Sequence, residues 1–170
     1  MKRIVAILVF VATCCGASAQ SLRIGGKTPS PDALVWLTEL PAEKKRTTLV
    51  EFFHSSNEIC TSRIEELDRI ATEHADSLNV IVVVRGDDTR GHRMLTERDW
   101  GFCVAQLTPR TLRSLGVRYV PYAYVTSPKR RTLWCGNPVF LQYQTLKQLI
   151  SDGKYYDKSL RKAASRRTRR

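Results

Sequence analysis

LVEFFHSSNEICTSRIEEL, residues 49–67, decides the fold. The stretch opens as an apolar strand from Leu49 to Phe53 and breaks at a polar turn, His54-Ser55-Ser56-Asn57. It continues as a helix, with Ile59, Ile64, Leu67 and Ile70 spaced along one face and Arg63, Glu65, Glu66 and Asp68 on the other. Cys60 falls in the first helical turn, where unpaired helix N–H groups favour a thiolate.

A strand that ends in aromatics, a short loop, and a helix that opens on a cysteine resemble the active-site segment of the thioredoxin-like proteins. The stretch resembles in particular the bacterial envelope group often called TlpA-like or redoxin-like. That group carries Cys-x-x-Cys at the helix start. Here Cys60 takes the place of the second cysteine, and Asn57 stands where the first one would be.

Two further stretches carry the resemblance. In GVRYVPYAYV, residues 116–125, Pro121 follows Val120 inside a strand-like run, a position that proline reaches only at a strand start or through a special bond. The resemblance makes it a cis-proline that faces the active-site turn and leaves a backbone edge open for a partner's extended chain. In RTLWCGNPVFLQYQTLKQLI, residues 131–150, Trp134-Cys135-Gly136-Asn137-Pro138 resembles the Trp-x-Gly-x-Pro that precedes the last helix of TlpA-like chains. The resemblance spans residues 22–150.

Outward from this core, LRIGGKTP, residues 22–29, is an opening loop or short strand, and residues 34–37 are a short apolar strand. LNVIVVV, residues 78–84, is a central strand apolar on both faces. Residues 85–96 are polar and loop-like, and residues 100–115 are mostly helical, interrupted before Pro109 and closed by Gly116 as a left-handed cap. The order strand, strand, helix, strand, helix, strand, strand, helix gives an α/β protein: a thioredoxin-like central twisted mixed sheet flanked by helices on both faces.

The ends have their own logic. Residues 1–19 read as a secretory signal, with Lys2 and Arg3, then nine apolar residues from Ile4 to Ala12, then Ala17-Ser18-Ala19 as a cleavage site. The apolar run is too short to span a bilayer, and Val11-Ala12-Thr13-Cys14 is a poor lipoprotein signal. The protein is therefore expected in the periplasm or another extracytoplasmic compartment. Loss of Lys2 and Arg3 takes the net charge from +12 to +10. Residues 20–153 form the domain. Residues 154–170 hold eight basic residues and one acid, Asp157, so most of the charge lies in a tail expected to be disordered. Anionic membrane surfaces are its candidate partner. Nucleic acid is not expected beyond a leader.

Three cysteines remain after the leader, Cys60, Cys103 and Cys135, so at least one has no partner within the chain. Cys103 and Cys135 either pair or stay as small buried side chains. No histidines or cysteines show metal-ligand spacing, so no metal or other cofactor is expected.

Disulfide exchange by a dithiol needs one sulfur to attack and a second to resolve. Asn57 marks the position of the lost nucleophile, so any thiol chemistry rests on Cys60 alone. The resemblance places Glu51 where thioredoxins bury an acid that takes the proton of the second cysteine; the plain alternative is a salt bridge or an outward-facing strand end. His54 is a candidate proton carrier beside the thiol or an exposed loop residue. His74 and His92 read as surface residues.

Three readings follow. One is an exported oxidoreductase-like protein that uses Cys60 as a single thiol on thiol- or disulfide-containing proteins. The second is a non-catalytic module that holds extended peptide segments in the groove of Val120 and Pro121. The third is a peroxiredoxin-like peroxidase, weakened by Asn57 where that family has threonine.

Overall fold

The computed structural model describes residues 22–28, 34–41 and 46–153. The leader and the basic tail lie outside them. Among the described residues no helix is long and apolar enough to cross a membrane.

The chain runs through β1 (Val35–Trp36), β2 (Thr47–Phe53), α1 (Glu58–Ser62), α2 (Ile64–Glu73), β3 (Leu78–Arg85), α3 (Thr89–Thr96), β4 (Cys103–Leu107), α4 (Pro109–Ser114), β5 (Tyr122–Thr126) and β6 (Thr132–Gly136). A 3-10 turn (Pro138–Phe140) leads to a last helix, α5 (residues 143–153). The strands make one six-stranded mixed sheet in the order β1-β4-β3-β2-β5-β6. β2, β3 and β4 are parallel, and β1, β5 and β6 run against their neighbours.

β2 and β3 are central and buried along nearly their whole length. Their alternate side chains feed two cores. Leu49, Phe53, Val80, Val82 and Val84 pack under α2, α3 and α5, against Leu67, Ile70, Leu95 and Leu146. Val50, Phe52, Ile81 and Val83 pack on the other side against Leu112 of α4, Val117 and the aromatic residues Tyr122 and Tyr124. Sheet and helices are thus layered as the sequence leads one to expect.

Several local expectations are corrected. Residues 85–96 hold α3, because Asp88 caps it by accepting the Gly91 N–H and Leu95 is fully buried beneath it. Residues 100–115 are not mostly helical. Cys103-Val104-Ala105-Gln106-Leu107 is β4, paired to β3 and β1, and only the six residues from Pro109 to Ser114, after the Thr108 cap, are helical. The strand pairing overrides the helix propensity of Ala105, Gln106 and Leu107. The first helix is broken at Arg63, and Ile59, expected on its buried face, is 45% exposed; Cys60 takes the inward position instead.

His74 is half-buried, with Nε2 at 3.0 Å from Tyr143 Oη, and His92 is half-buried too. Gly116 closes α4 with φ 78°, as expected of a left-handed cap. Cys103 and Cys135 cannot pair. Their strands, β4 and β6, are four positions apart in the sheet, about 19 Å at the usual strand spacing, against the 7 Å limit for bridged Cα atoms. All three described cysteines are free.

Candidate functional site

β2 delivers the turn 54–57 to the carboxyl end of the parallel strands, and β5 begins at the same end. Tyr122 lies opposite Phe52 and Ala123 opposite Gly136. Continuing those registers brings Val120 beside His54 on one side and residues 138–139 on the other. The Val120–Pro121 bond is cis.

Asn57 ties this corner together. Its Oδ1 accepts the N–H of Cys60 at 3.2 Å and so caps α1. Its Nδ2 donates to the Val120 carbonyl at 3.0 Å. One amide thereby links the helix start to the strand that carries Pro121. The polar turn around it is fixed by Asp88. That carboxylate accepts the Ser55 N–H and the Ser55 hydroxyl, both at 2.6 Å, and the Gly91 N–H at 3.0 Å. Burial alone would raise the Asp88 carboxyl, but the bonds from Ser55 and Gly91 outweigh it and hold it below 3.8. His54 Nδ1 accepts from the Ser56 N–H and lies 3.7 Å from Asp88 Oδ2. The ring is half-buried rather than fully exposed, and it points toward Asp88. Asp88 was not singled out from sequence; its place one residue before a Thr-Arg-Gly helix start was the available signal.

Cys60 faces the core. It is 2% exposed, and its Sγ lies 4.0 Å from the Phe52 carbonyl. Burial pushes its thiol up to about 11. The expected lowering at a helix start does not appear, because loss of water outweighs the short helix. Glu51 is 2% exposed and lies on the same side of the sheet. It is a buried acid near Cys60, and it is paired: Arg63 Nε reaches Oε1 at 3.1 Å and Nη2 reaches Oε2 at 3.3 Å. Burial raises its carboxyl above 4.5 while Arg63 opposes the rise. The break between α1 and α2 falls at Arg63, the residue that turns inward to meet this acid.

The structure thus brings His54, Asn57, Val120 and Pro121 to one surface and sets Cys60 and Glu51 beneath it. Around that end of the sheet Ile59, Tyr119, Val139 and Phe140 are exposed apolar side chains, Phe140 at 77%. Among the described residues no group of three or more His, Cys, Asp or Glu is placed to hold a metal ion.

No family model matches the sequence, and no curated protein does either. Solved structures are informative. A protein of Chlorobium tepidum, described as a thiol:disulfide interchange protein of the DsbE type, superposes with a TM-score of 0.62 at 22% identity, over 78% of this chain and 99% of its own. The pneumococcal exposed lipoprotein thioredoxin of Streptococcus pneumoniae gives 0.53 at 19% identity, over 64% of this chain and 86% of its own. A peroxiredoxin-like protein of Aquifex aeolicus gives 0.57 at 13% identity, over 78% and 88%. Identities this low speak to architecture, and together with the strand order and the layering of helices they establish that this chain has the thioredoxin-like fold.

Proposed function

We propose that this is an exported thioredoxin-fold protein that holds extended chain segments at the edge formed by Val120 and Pro121, without exchanging disulfides. The observation that carries this reading is the exchange of roles between Asn57 and a nucleophile. The residue at the surface is an amide engaged in two hydrogen bonds, and the nearest sulfur is 2% exposed. Single-thiol exchange and peroxide reduction both need a thiolate that a partner or peroxide can reach. Neither is favoured at a thiol that burial pushes to about 11.

What remains suits recognition. The Val120 N–H has no partner among the described residues, so an extended segment laid beside it gains a backbone hydrogen bond. The exposed Tyr119, Val139 and Phe140 offer apolar contacts to alternate side chains of that segment. Thiol- or disulfide-containing proteins remain candidate partners by virtue of their extended segments. The extracytoplasmic location rests on the leader and agrees with the description of the pneumococcal relative in fold as an exposed lipoprotein.

The test uses a chain that carries no free thiol. Reduced and fully carboxymethylated lactalbumin is titrated into isotope-labelled protein while backbone amide shifts are followed. The expected result is saturable movement of the Val120 amide and of residues 54–57 and 136–140, and weakened binding in Phe140→Ser. Shifts confined to other surfaces, or no shifts, overturn the reading. Capture of only thiol-bearing chains, as covalent adducts at Cys60, replaces it with single-thiol exchange.

A further inference from the structure

Charge is divided unevenly around the Val120 edge. From Trp100 to Ser151 the chain contains no acid, and this stretch supplies β4, α4, the segment that leads into Pro121, β5, β6 and most of α5. The chain before it is different. There Arg63, Arg69, Arg85, Arg93 and Arg98 each pair with a carboxylate. Arg110, Arg113 and Arg118 are exposed and meet no carboxylate among the described residues.

The way α4 ends fixes the last two of these. The Gly116 N–H donates to the Arg113 carbonyl at 3.0 Å and the Val117 N–H to the Leu112 carbonyl at 3.1 Å, with Gly116 at φ 78°. This paired closure folds the chain back over the last helical turn, and Leu112 and Val117 pack in the same core. Arg118 therefore emerges beside the turn that carries Arg113, two residues before Val120. Two residues of chain reach no further than about 7 Å. Between them Tyr119 is exposed, its ring edge-on to Tyr122 at 5.8 Å. The approach to the edge is thus a cation, an aromatic ring and an open backbone N–H in succession.

The acids around this edge lie on other elements. Glu58 is exposed in the first turn of α1, next to Asn57. Asp88 is buried under its bonds from Ser55 and Gly91, and Asp87 is paired with Arg85. The Gly86 N–H donates to the Leu107 carbonyl at 2.8 Å, which sets Asp87 by the start of α4, at the Arg110 end of that helix. Arg113 and Arg118 stand at its other end.

We propose that the groove selects acidic extended segments, with a carboxylate two residues from the position laid beside Val120 received by Arg118 and by Arg113 behind it. The proposal rests on the reading of the Val120 edge as a site that holds extended chains. Side chains two residues apart in an extended segment lie on one face, about 6.7 Å apart. That spacing matches the reach from Val120 to Arg118. Each exposed ion pair adds little to affinity, but charge complementarity selects among partners and speeds their encounter. A polypeptide fits better than other anions. The edge offers a backbone donor at Val120 and apolar contacts at Tyr119 and Phe140, which an extended chain uses together with its charge.

The experiment titrates two synthetic peptides of equal length into isotope-labelled protein and reads affinity at the Val120 amide, so that contacts elsewhere do not count. One peptide repeats Glu-Thr-Phe-Thr, and its twin has Gln for every Glu. At low salt the acidic peptide is expected to bind about tenfold tighter, from about threefold for each of two exposed ion pairs. The gap should close at about 1 M salt, where the Debye length is about 3 Å. Arg113→Gln with Arg118→Gln should cut it to less than about twofold and leave the affinity of the glutamine twin unchanged, which shows that the groove itself is intact. Arg113→Lys with Arg118→Lys should keep the gap. Lys27→Gln with Lys147→Gln removes the same charge from exposed positions away from the edge and should keep it too. Equal affinity of the two peptides at Val120 overturns the proposal and leaves the holding of extended chains standing. A Val120 amide moved by neither peptide removes that reading as well. Equal losses in the two Gln double variants overturn the proposal, because net charge alone then explains the preference. An acidic peptide that moves the amides of Arg113 and Arg118 but not that of Val120 overturns it in favour of a general anion surface.

Discussion

Asn57→Cys is expected to gain disulfide reductase activity that the parent lacks under the same conditions, measured as insulin reduction with dithiothreitol as the electron source. The expectation comes from what already surrounds position 57. Its side chain reaches the Cys60 N–H at 3.2 Å, so a thiol placed there lies within one helical turn of Cys60, and its thiolate is favoured by the same N–H. Loss of the amide removes the cap and the bond to the Val120 carbonyl, at about 1 kcal/mol for the cap. The chemistry then balances. The introduced thiolate attacks one sulfur of the insulin disulfide, that bond breaks, and a mixed disulfide forms. Cys60 loses its proton, attacks the introduced sulfur and expels the insulin thiolate. Dithiothreitol reduces the resulting bridge, and two electrons have passed.

The slow step should be ionisation of Cys60, which burial opposes. Raising the pH from 7 to 9 should therefore speed turnover. A variant that folds and forms the bridge yet leaves insulin intact would mean that the edge at Val120 does not present a partner chain. Activity in the parent would show that Cys103 or Cys135 supplies a sulfur.

Arg63→Ala should be the most damaging single substitution among the surface-reaching side chains. It strips the partner from Glu51, which is 2% exposed, and a buried carboxylate left alone costs about 3 kcal/mol. That corresponds to a fall of about 10 °C in Tm for a domain of this size. The second contact of Arg63, to the exposed Glu66, contributes little.

The pH dependence identifies the cause. Burial raises the Glu51 carboxyl above 4.5 in the folded state. Its contribution to stability is therefore fully present below 4.5 and is lost as the pH rises through the folded value. Without Arg63 that value rises further, so the gap between parent and variant should be narrow near pH 4.5 and widen toward pH 7. Glu51→Leu with Arg63→Met should recover most of the loss, because an apolar pair needs no partner charge. A gap that does not change with pH would show that packing of the Arg63 stem, and not the Glu51 charge, holds the break between α1 and α2.

β2, β3 and the turn at Gly116 were legible because each obeys a local rule: a mainly apolar run ending in two phenylalanines for β2, an unbroken β-branched run for β3, and glycine for a left-handed cap. The position of Pro121 was legible only through resemblance, since a Val-Pro pair by itself does not announce a cis bond. β4 was not legible. Ala105, Gln106 and Leu107 favour a helix in isolation, and only their pairing to Val83, Val84 and Arg85 makes them a strand.

At the site, the resemblance set Val120 and Pro121 facing the turn that carries Asn57. The two roles of the Asn57 amide were not, because one of its partners is a backbone carbonyl 63 positions away. The thiol is the most instructive case. A helix start suggests a low thiol pKa, and periodicity put Ile59 inward. In the fold Ile59 turns out and Cys60 turns in, so burial decides the ionisation of the thiol.

The measurement that bears most directly on a thioredoxin-fold site without thiol chemistry is the rate of alkylation of Cys60, residue by residue, in native and urea-unfolded protein at pH 8. A thiol at about 11 instead of 9.0 has about a hundredfold less thiolate, and burial slows access further. The account predicts that Cys60 in the native protein is labelled at least about a hundredfold more slowly than in the unfolded chain. Native labelling of Cys60 as fast as in the unfolded chain, or faster, would contradict it and return the single thiol to the centre of the protein's function.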